Sequence, residues 1–436
     1  MNPSGKPKTM IPKGVATLLP DGTSHRRFIE KKILSSFSRW GYQEVTPPIF
    51  EYLDVFSLGV GEEVLDSAYK FIDRATGRIM VLRPDVTPQI ARIASTLLAD
   101  HPRPLRLCYS ANVFRHQEEH AGRERELFQI GGELIGPSDA ESDAEMIALA
   151  IETLENLGLK NFRMTLGQMA FTRGLLSPFI SSPAFYKKIL HSVAKKEASQ
   201  LERWLKLEGV EEKTRREVLS LLNLFGDEAV LKHAAALTDN PVCRKGLERL
   251  EAVYAILKSA GHSDYLIFDL GEVRGFDYYT GTIFEIFSEG VGFELGGGGR
   301  YDALLEKFGA PSASTGFALY IEQIQSAMEK ASSNTLASSG AHLMIAHTPD
   351  DREQAIALAR ALRNAGGHVI RKNYSNPPSL ESALGDAAAH NISSIVFLKA
   401  ESDSASLQLT DVSSGHTQCL DQSRLIAWLE SNAMIL

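Results

Sequence analysis

An interruption constrains the fold of this chain more than any other feature. Short runs of strand composition occupy the first third of the sequence: KFIDRATGRIMVLRPD, PLRLCYSANVFRH and ELFQIGGELIG. They return as YLIFDLGEVRGFDYYTGTIFEIF after residue 264. Between them residues 172–262 are charged, helix-forming and poor in β-branched residues, as in KKILHSVAKKEASQLERWLKLEGVEEKTRREVLSLLNLFG. A sheet built from both blocks joins segments far apart in sequence, with residues 172–262 as a helical insertion and not as further sheet.

The flanks carry ordinary helix signals. Residues 25–40 space Phe28, Ile29, Ile33, Leu34, Phe37 and Trp40 for one helical face, and Gly41 stops it. Pro47 and Pro48 then force an extended edge. A second helix is predicted over 138–157, with Ser138 and Asp139 as cap candidates and Gly158 past its end. Residues 331–340, ASSNTLASSG, read as a linker. Beyond it LMIA (343–346), a helix from about Asp350 to Asn364, HVIR (368–371), a helix near 380–389 and SIVFL (394–398) alternate as βαβαβ, predicting a small parallel α/β domain over 341–436.

At 436 residues, with 44% apolar and 23% charged residues, the chain can bury a core without disulfides or a structural metal. A net charge of −8 gives no general attraction for nucleic acid or an anionic membrane. Cys108, Cys243 and Cys419 form no C-x-x-C pair and no zinc spacing, which predicts a reducing compartment and no cysteine-based metal site. MNPSGKPKTMIPKG has no apolar core of a signal peptide, its first dozen residues read as a frayed arm, and no run reaches about 18 apolar residues. The expected location is cytoplasmic.

Four clusters carry polar chemistry. The tetraglycine Gly296–Gly299, followed by Arg300, Tyr301 and Asp302, reads either as a tight turn or as backbone brought close to a ligand. In GEVRGFDYYTGTIFE, Arg274, Asp277, Tyr278 and Tyr279 crowd into a run with sheet-like flanks, which points to a polar pocket. Arg115, Arg123 and Arg125 are either part of a solvated charged loop or fork-shaped donors for phosphate. In VLRPDVTPQIAR, Asp85 and Thr87 end a strand, and Asp85 is also a cap candidate for the helix that follows.

Together these segments resemble the catalytic core of class II aminoacyl-tRNA synthetases, and among them histidine–tRNA ligase. WGYQEVTPPIFEY is similar to motif 1, VFRHQEEHAGRERELFQIGGELIG to motif 2 and STGFALYIEQI to motif 3. EVRGFDYYTGTIFE and GGGGRYD resemble the ligase's two histidine-specific motifs, and the five agree in order over about residues 13–330. The resemblance implies an α+β fold. Its class II antiparallel sheet, flanked by helices, spans residues 1–171 and 263–330, and its C-terminal α/β domain resembles an anticodon-binding domain.

Departures from the ligase pattern fall on the nucleotide side. Motif 3 of the synthetases ends in Glu-Arg, but this chain has Glu322–Gln323, and a neutral amide offers a triphosphate neither charge nor a planar fork. Motif 2 reads Arg115–His116–Gln117 in place of Arg-x-Glu. From Ala341 onward seven basic residues face ten acids, a net of about −3 and a poor surface for an anticodon stem.

The amino-acid pocket is retained. By resemblance its histidine-binding groups fall on Asp85, Thr87, Gln129, Glu133, Arg274, Tyr278, Tyr279 and Tyr301, with Asp85 in place of the ligase's Glu. Asp85, Thr87 and Gln129 suit an α-ammonium, Glu133 and the tyrosines suit the imidazole nitrogens, and Arg274 suits the carboxylate. A synthetase core that keeps this pocket and loses nucleotide chemistry resembles the regulatory subunits of ATP phosphoribosyltransferase. RHQ, LRPDVTPQIAR and FDYYTG read closer to that family than to the ligase.

The resemblance implies a chain with no catalytic residue, cofactor or metal of its own. Histidine is its implied effector in feedback on the first step of histidine biosynthesis. Its implied partner is a short-form catalytic subunit, and a homodimer is the building block. Neither membrane nor tRNA is an expected partner. The alternatives are an active histidine–tRNA ligase and another diverged paralogue.

Overall fold

The computed structural model describes residues 11–116, 124–272, 278–331, 342–398 and 407–433. The first ten residues of the predicted arm, the loop residues Arg123, Arg274 and Asp277, and all but the first residue of the predicted linker fall outside that set. The chain divides into two compact units, residues 1–336 and 337–436.

The first unit is organised by a nine-stranded sheet. Across it run Gln43–Glu44, Leu105–Phe114, Glu126–Gly136, Ala313–Tyr320, Gly296–Arg300, Thr282–Ser288, Phe162–Gln168, Leu266–Asp269 and Phe225–Gly226. Neighbours pair antiparallel, except that Gln43–Glu44 lies parallel to Leu105–Phe114 and Phe162–Gln168 parallel to Leu266–Asp269. The expected mainly antiparallel sheet, built from segments on both sides of the helical stretch, is therefore present.

Alternation within each strand sorts the two faces, because successive side chains of a strand point to opposite sides. Phe128, Ile130 and Leu134 join Phe317, Leu319, Phe284 and Met164 in the larger core. The helix Pro20–Arg39 covers that face with Ile29, Ile33 and Phe37, and the Phe37 ring meets Phe317 edge-on at 5.5 Å. The helix Ala140–Asn156 lies against it too. Its N-terminus is capped by Asp139, which accepts the Ser142 N–H at 2.9 Å, and Gly158 follows it at φ +83°.

The tetraglycine is no turn. Gly296–Arg300 is an interior strand, paired with Thr282–Ser288 on one side and Ala313–Tyr320 on the other. Glycine is required by closeness: a Cβ on Gly298 would collide with the backbone of Gly316 and Phe317. Arg300 at its end is buried and clamps Asp143 (Nε to Oδ1, 2.7 Å), whose other oxygen accepts from Arg249 at 2.9 Å.

Residues 172–262 are helical in the main, with helices Pro183–Ala194, Ala198–Leu207, Glu212–Ser220, Ala229–Leu237 and Pro241–Ser259. They are not wholly separate from the sheet, because Phe225–Gly226 extends it beside Leu266–Asp269. A small sheet of Phe50–Tyr52, Ile79–Leu82 and Lys70–Ile72 stands apart from the large one in its pairing.

In the second unit His342–His347, His368–Asn373 and Ser394–Leu398 are parallel, and helices Arg352–Asn364 and Leu380–Ala389 connect them. The purely parallel expectation is corrected: Leu407–Asp411 and Thr417–Leu420 extend the sheet antiparallel, and the helix Gln422–Ala433 closes the unit. Those strands are short and carry polar residues at most positions, so their periodicity is faint.

Candidate functional site

The site lies on the sheet face that the long helices do not cover. Registers place Tyr109, Gly131, Ala318 and Gly297 in one row across four strands, and Leu107, Glu133, Gly316 and Gly299 in the next. Small residues in the middle of both rows leave a recess enclosing about 340 Å³, its open mouth included. Asp85, Thr87, Arg115, Gln129, Tyr278, Tyr279 and Tyr301 line it, with Gly297, Gly316, Phe317, Ala318 and Tyr320.

Two carboxylates anchor the recess, and each is held by hydroxyls. Glu133, 1% exposed, accepts from the Thr87 hydroxyl at 2.8 Å through Oε1 and from the Tyr301 hydroxyl through Oε2. Asp85 accepts from the Tyr278 hydroxyl at 2.9 Å through Oδ2 and from the Val86 N–H at 2.9 Å through Oδ1. The alternative reading of Asp85 as a helix cap is corrected. The helix Thr87–Ser95 starts after Val86, and the Asp85 side chain faces the recess. Glu133 needs glycine across the strand pair, since a Cβ on Gly316 would overlap its carboxylate.

Burial dominates the electrostatics. It pushes Glu133 up to about 8, against the hydroxyls of Tyr301 and Thr87, which favour the ionised form. Burial likewise raises Asp85 above the ordinary carboxylate range, opposed by the Arg115 guanidinium and the Tyr278 hydroxyl. The Tyr278 and Tyr301 hydroxyls are held far above their usual value by burial and the neighbouring carboxylates, so both remain donors. Gln129 is 2% exposed, and its carboxamide oxygen accepts no hydrogen bond among the described residues. Such an oxygen carries an unmet cost until a donor reaches it.

Six of the eight residues assigned to the pocket line this recess, and Glu133 lies just behind them; Arg274 is outside the described residues. Arg115 forms part of the wall, and its Nε donates to the Pro84 carbonyl at 2.8 Å. Arg125 pairs its backbone N–H with the Gly14 carbonyl at 2.6 Å.

Sequence reasoning missed Tyr109 and Tyr320. Tyr109 is fully buried, and its ring tip occupies the space a Cβ on Gly131 would take. Within YSANVF a lone tyrosine carries no mark of its face, and only the cross-strand register shows which one it takes. The motif 3 acid Glu322 is structural here: both its oxygens lie 3.2 Å from the Phe128 N–H, and burial raises it to about 7. Among the described residues no group of three or more His, Cys, Asp or Glu side chains is placed to hold a metal ion, and no helix is long and apolar enough to cross a membrane.

Known proteins resemble this chain over most of its length. The family model for histidyl-tRNA synthetase matches residues 14–324. The ATP phosphoribosyltransferase regulatory subunit of Moorella thermoacetica is 40% identical over 384 residues, covering 88% of this chain and 96% of that one. Its counterpart from Geobacter sulfurreducens is 37% identical over 380 residues, 86% of each chain. A crystal structure described as an ATP phosphoribosyltransferase regulatory subunit/histidyl-tRNA synthetase from Bacillus halodurans superposes with a TM-score of 0.78 at 29% identity, over 90% of this chain and 99% of that one.

Proposed function

Because this chain belongs to the family of ATP phosphoribosyltransferase regulatory subunits, built on the histidyl-tRNA synthetase fold, we propose that it supports a separate, short-form catalytic subunit and reports free histidine to it. The observation that carries the histidine reading is the buried Gln129 oxygen, which accepts no hydrogen bond among the described residues and lies in a recess beside two carboxylates. That is an acceptor-rich site for a small, donor-rich ligand. In this reading Gln129 and Asp85 take the α-ammonium, and Arg274 meets the carboxylate, as the family resemblance implies. Glu133, Tyr301 and Tyr279 read the imidazole.

The proton balance follows from burial. With Glu133 at about 8, the empty site is mainly protonated at neutral pH. Accepting the N–H of a neutral imidazole favours the carboxylate, so histidine bound in that form at pH 7 expels the Glu133 proton. The filled pocket then favours one arrangement of the surrounding loops. The catalytic partner registers that preference as a coupling of about 1–3 kcal/mol, and histidine affinity must respond reciprocally to the partner.

The test is inhibition of the purified complex. Glu133→Ala abolishes feedback by histidine and leaves assembly with the catalytic subunit intact; undiminished inhibition in that variant would refute the pocket assignment. The retained second unit and the synthetase half of the Bacillus halodurans description keep one rival worth measuring, an active ligase. Histidine-dependent exchange of pyrophosphate into ATP distinguishes the two, and the Gln323 amide is the reason to expect none.

A homodimer completes the proposal. Ile49, Phe50, Ile72 and Ile79 around the small sheet are 46–67% exposed, and Phe50 stacks edge-on with the partly exposed Phe71 at 5.9 Å. Phe50 and Phe71 share one face of that sheet and Ile72 and Ile79 the other, and these exposed apolar side chains are what a second copy would cover.

A further inference from the structure

We propose that Lys196 is a positioning residue for the recess, acting through Asp269, the last residue of the strand that precedes Tyr278 and Tyr279 in the chain. The claim deepens the histidine-sensing reading and rests on it only for its ligand. The strand Leu266–Asp269 is the last strand before Tyr278, the donor to Asp85, among the described residues. The helical insertion grips the end of that strand at several points. Phe225 pairs with Asp269, the Leu270 N–H donates to the Leu224 carbonyl at 3.0 Å, and the ammonium of Lys196 pairs with Asp269 Oδ2. At the first residue of the insertion, the Thr172 hydroxyl donates to the Leu270 carbonyl at 2.9 Å.

Two features set the Lys196 contact apart. Lys206–Glu202 and Arg216–Glu212, elsewhere in the insertion, are exposed on both sides, whereas the Asp269 carboxylate is 6% exposed and has a second task. Its Oδ1 accepts the Gly271 N–H at 3.0 Å, so one carboxylate ties the lysine to the backbone just past the strand. Lys196 also sits at φ +53°, in the left-handed region that side chains with a Cβ adopt at a cost. Glycine or asparagine would serve the turn better. What lysine adds is the reach of its ammonium to Asp269, over the Phe225 ring at 5.7 Å. The proposed consequence is mechanical: a load on the insertion shifts the end of this strand, and the effect is read at Tyr278 and Tyr279.

The test uses the full chain. Amide hydrogen exchange without ligand is compared between the wild type and Lys196→Met. Exchange over residues 278–282 accelerates about tenfold in the variant, while the strand Glu126–Gly136 is unchanged. By calorimetry, histidine binding weakens about fivefold. Lys196→Arg restores both readouts, and Lys196→Gly, which relaxes the backbone but removes the ammonium, behaves like Met. A lower melting temperature with unchanged exchange over 278–282 would reduce the pair to ordinary stabilisation and overturn the proposal. If the wild type binds no histidine, the sensing reading fails, and the exchange comparison still decides the role of Lys196.

Discussion

Glu126–Gly136 and Ala313–Tyr320 each present two different surfaces. Toward the long helices they turn Phe128, Ile130, Phe317 and Leu319, which pack in a continuous apolar core. Toward the recess they turn Gln129, Gly131, Glu133, Gly316 and Ala318. Adjacent residues of one strand thus do opposite work, and neither face could be exchanged by a one-residue slip. One face holds the sheet to its helices. The other holds buried charge and open volume, which stabilise nothing by themselves.

Substitutions on the two faces should therefore separate stability from binding. The largest loss of stability is expected on the helix face. Leu319→Ala opens a void in that core, away from the recess lining, and costs about 2–5 kcal/mol. Denaturant titration measures the loss, and histidine affinity of the fraction that remains folded should change little. A comparable loss of affinity would mean that the two faces are not independent.

That division is partly readable in the amino-acid sequence. ELFQIGGELIG shows its apolar side at once, and Gln129 and Glu133 share the other by the period of two. GGGGR was opaque for a physical reason. Glycine runs usually signal turns through backbone freedom, but here they signal a shortage of space between strands, which depends on partners far away in sequence. The same holds for Asp85. Its place before a helix suggests a cap, and only the distant Tyr278 shows that it belongs to the recess. Tyr320 and Tyr109 were missed because a lone tyrosine in a strand looks the same from either face.

On the recess face, Gly316→Ala should cost less stability and more binding. The added methyl overlaps the Glu133 carboxylate and has to displace it, at about 1–3 kcal/mol of overpacking. Histidine affinity should fall by at least about tenfold, since a displacement costing 1.4 kcal/mol already has that effect. Calorimetry on the folded variant reads it directly. Unaltered affinity would show that Glu133 does not touch the ligand.

The dependence of stability on pH is the most informative, because its sign is fixed by burial. Glu133 is raised from its ordinary 4.5 to about 8, so below pH 4.5 it is protonated in folded and unfolded chains alike, and its folding contribution is fully present. Between 4.5 and 8 the unfolded chain releases the proton while the folded one retains it, and that contribution is lost progressively. Above 8 both forms are ionised and the loss levels off. Glu133→Gln keeps the shape of the side chain but has no proton to lose. In ligand-free protein the variant should match the wild type near pH 4.5 and gain on it steadily toward pH 8, read as a widening gap in melting temperature. Glu322, raised to about 7 by its own burial, titrates in both proteins and cancels in the difference. A gap that stays constant with pH would mean that Glu133 is already ionised in the empty recess, and histidine would then bind at pH 7 without expelling a proton.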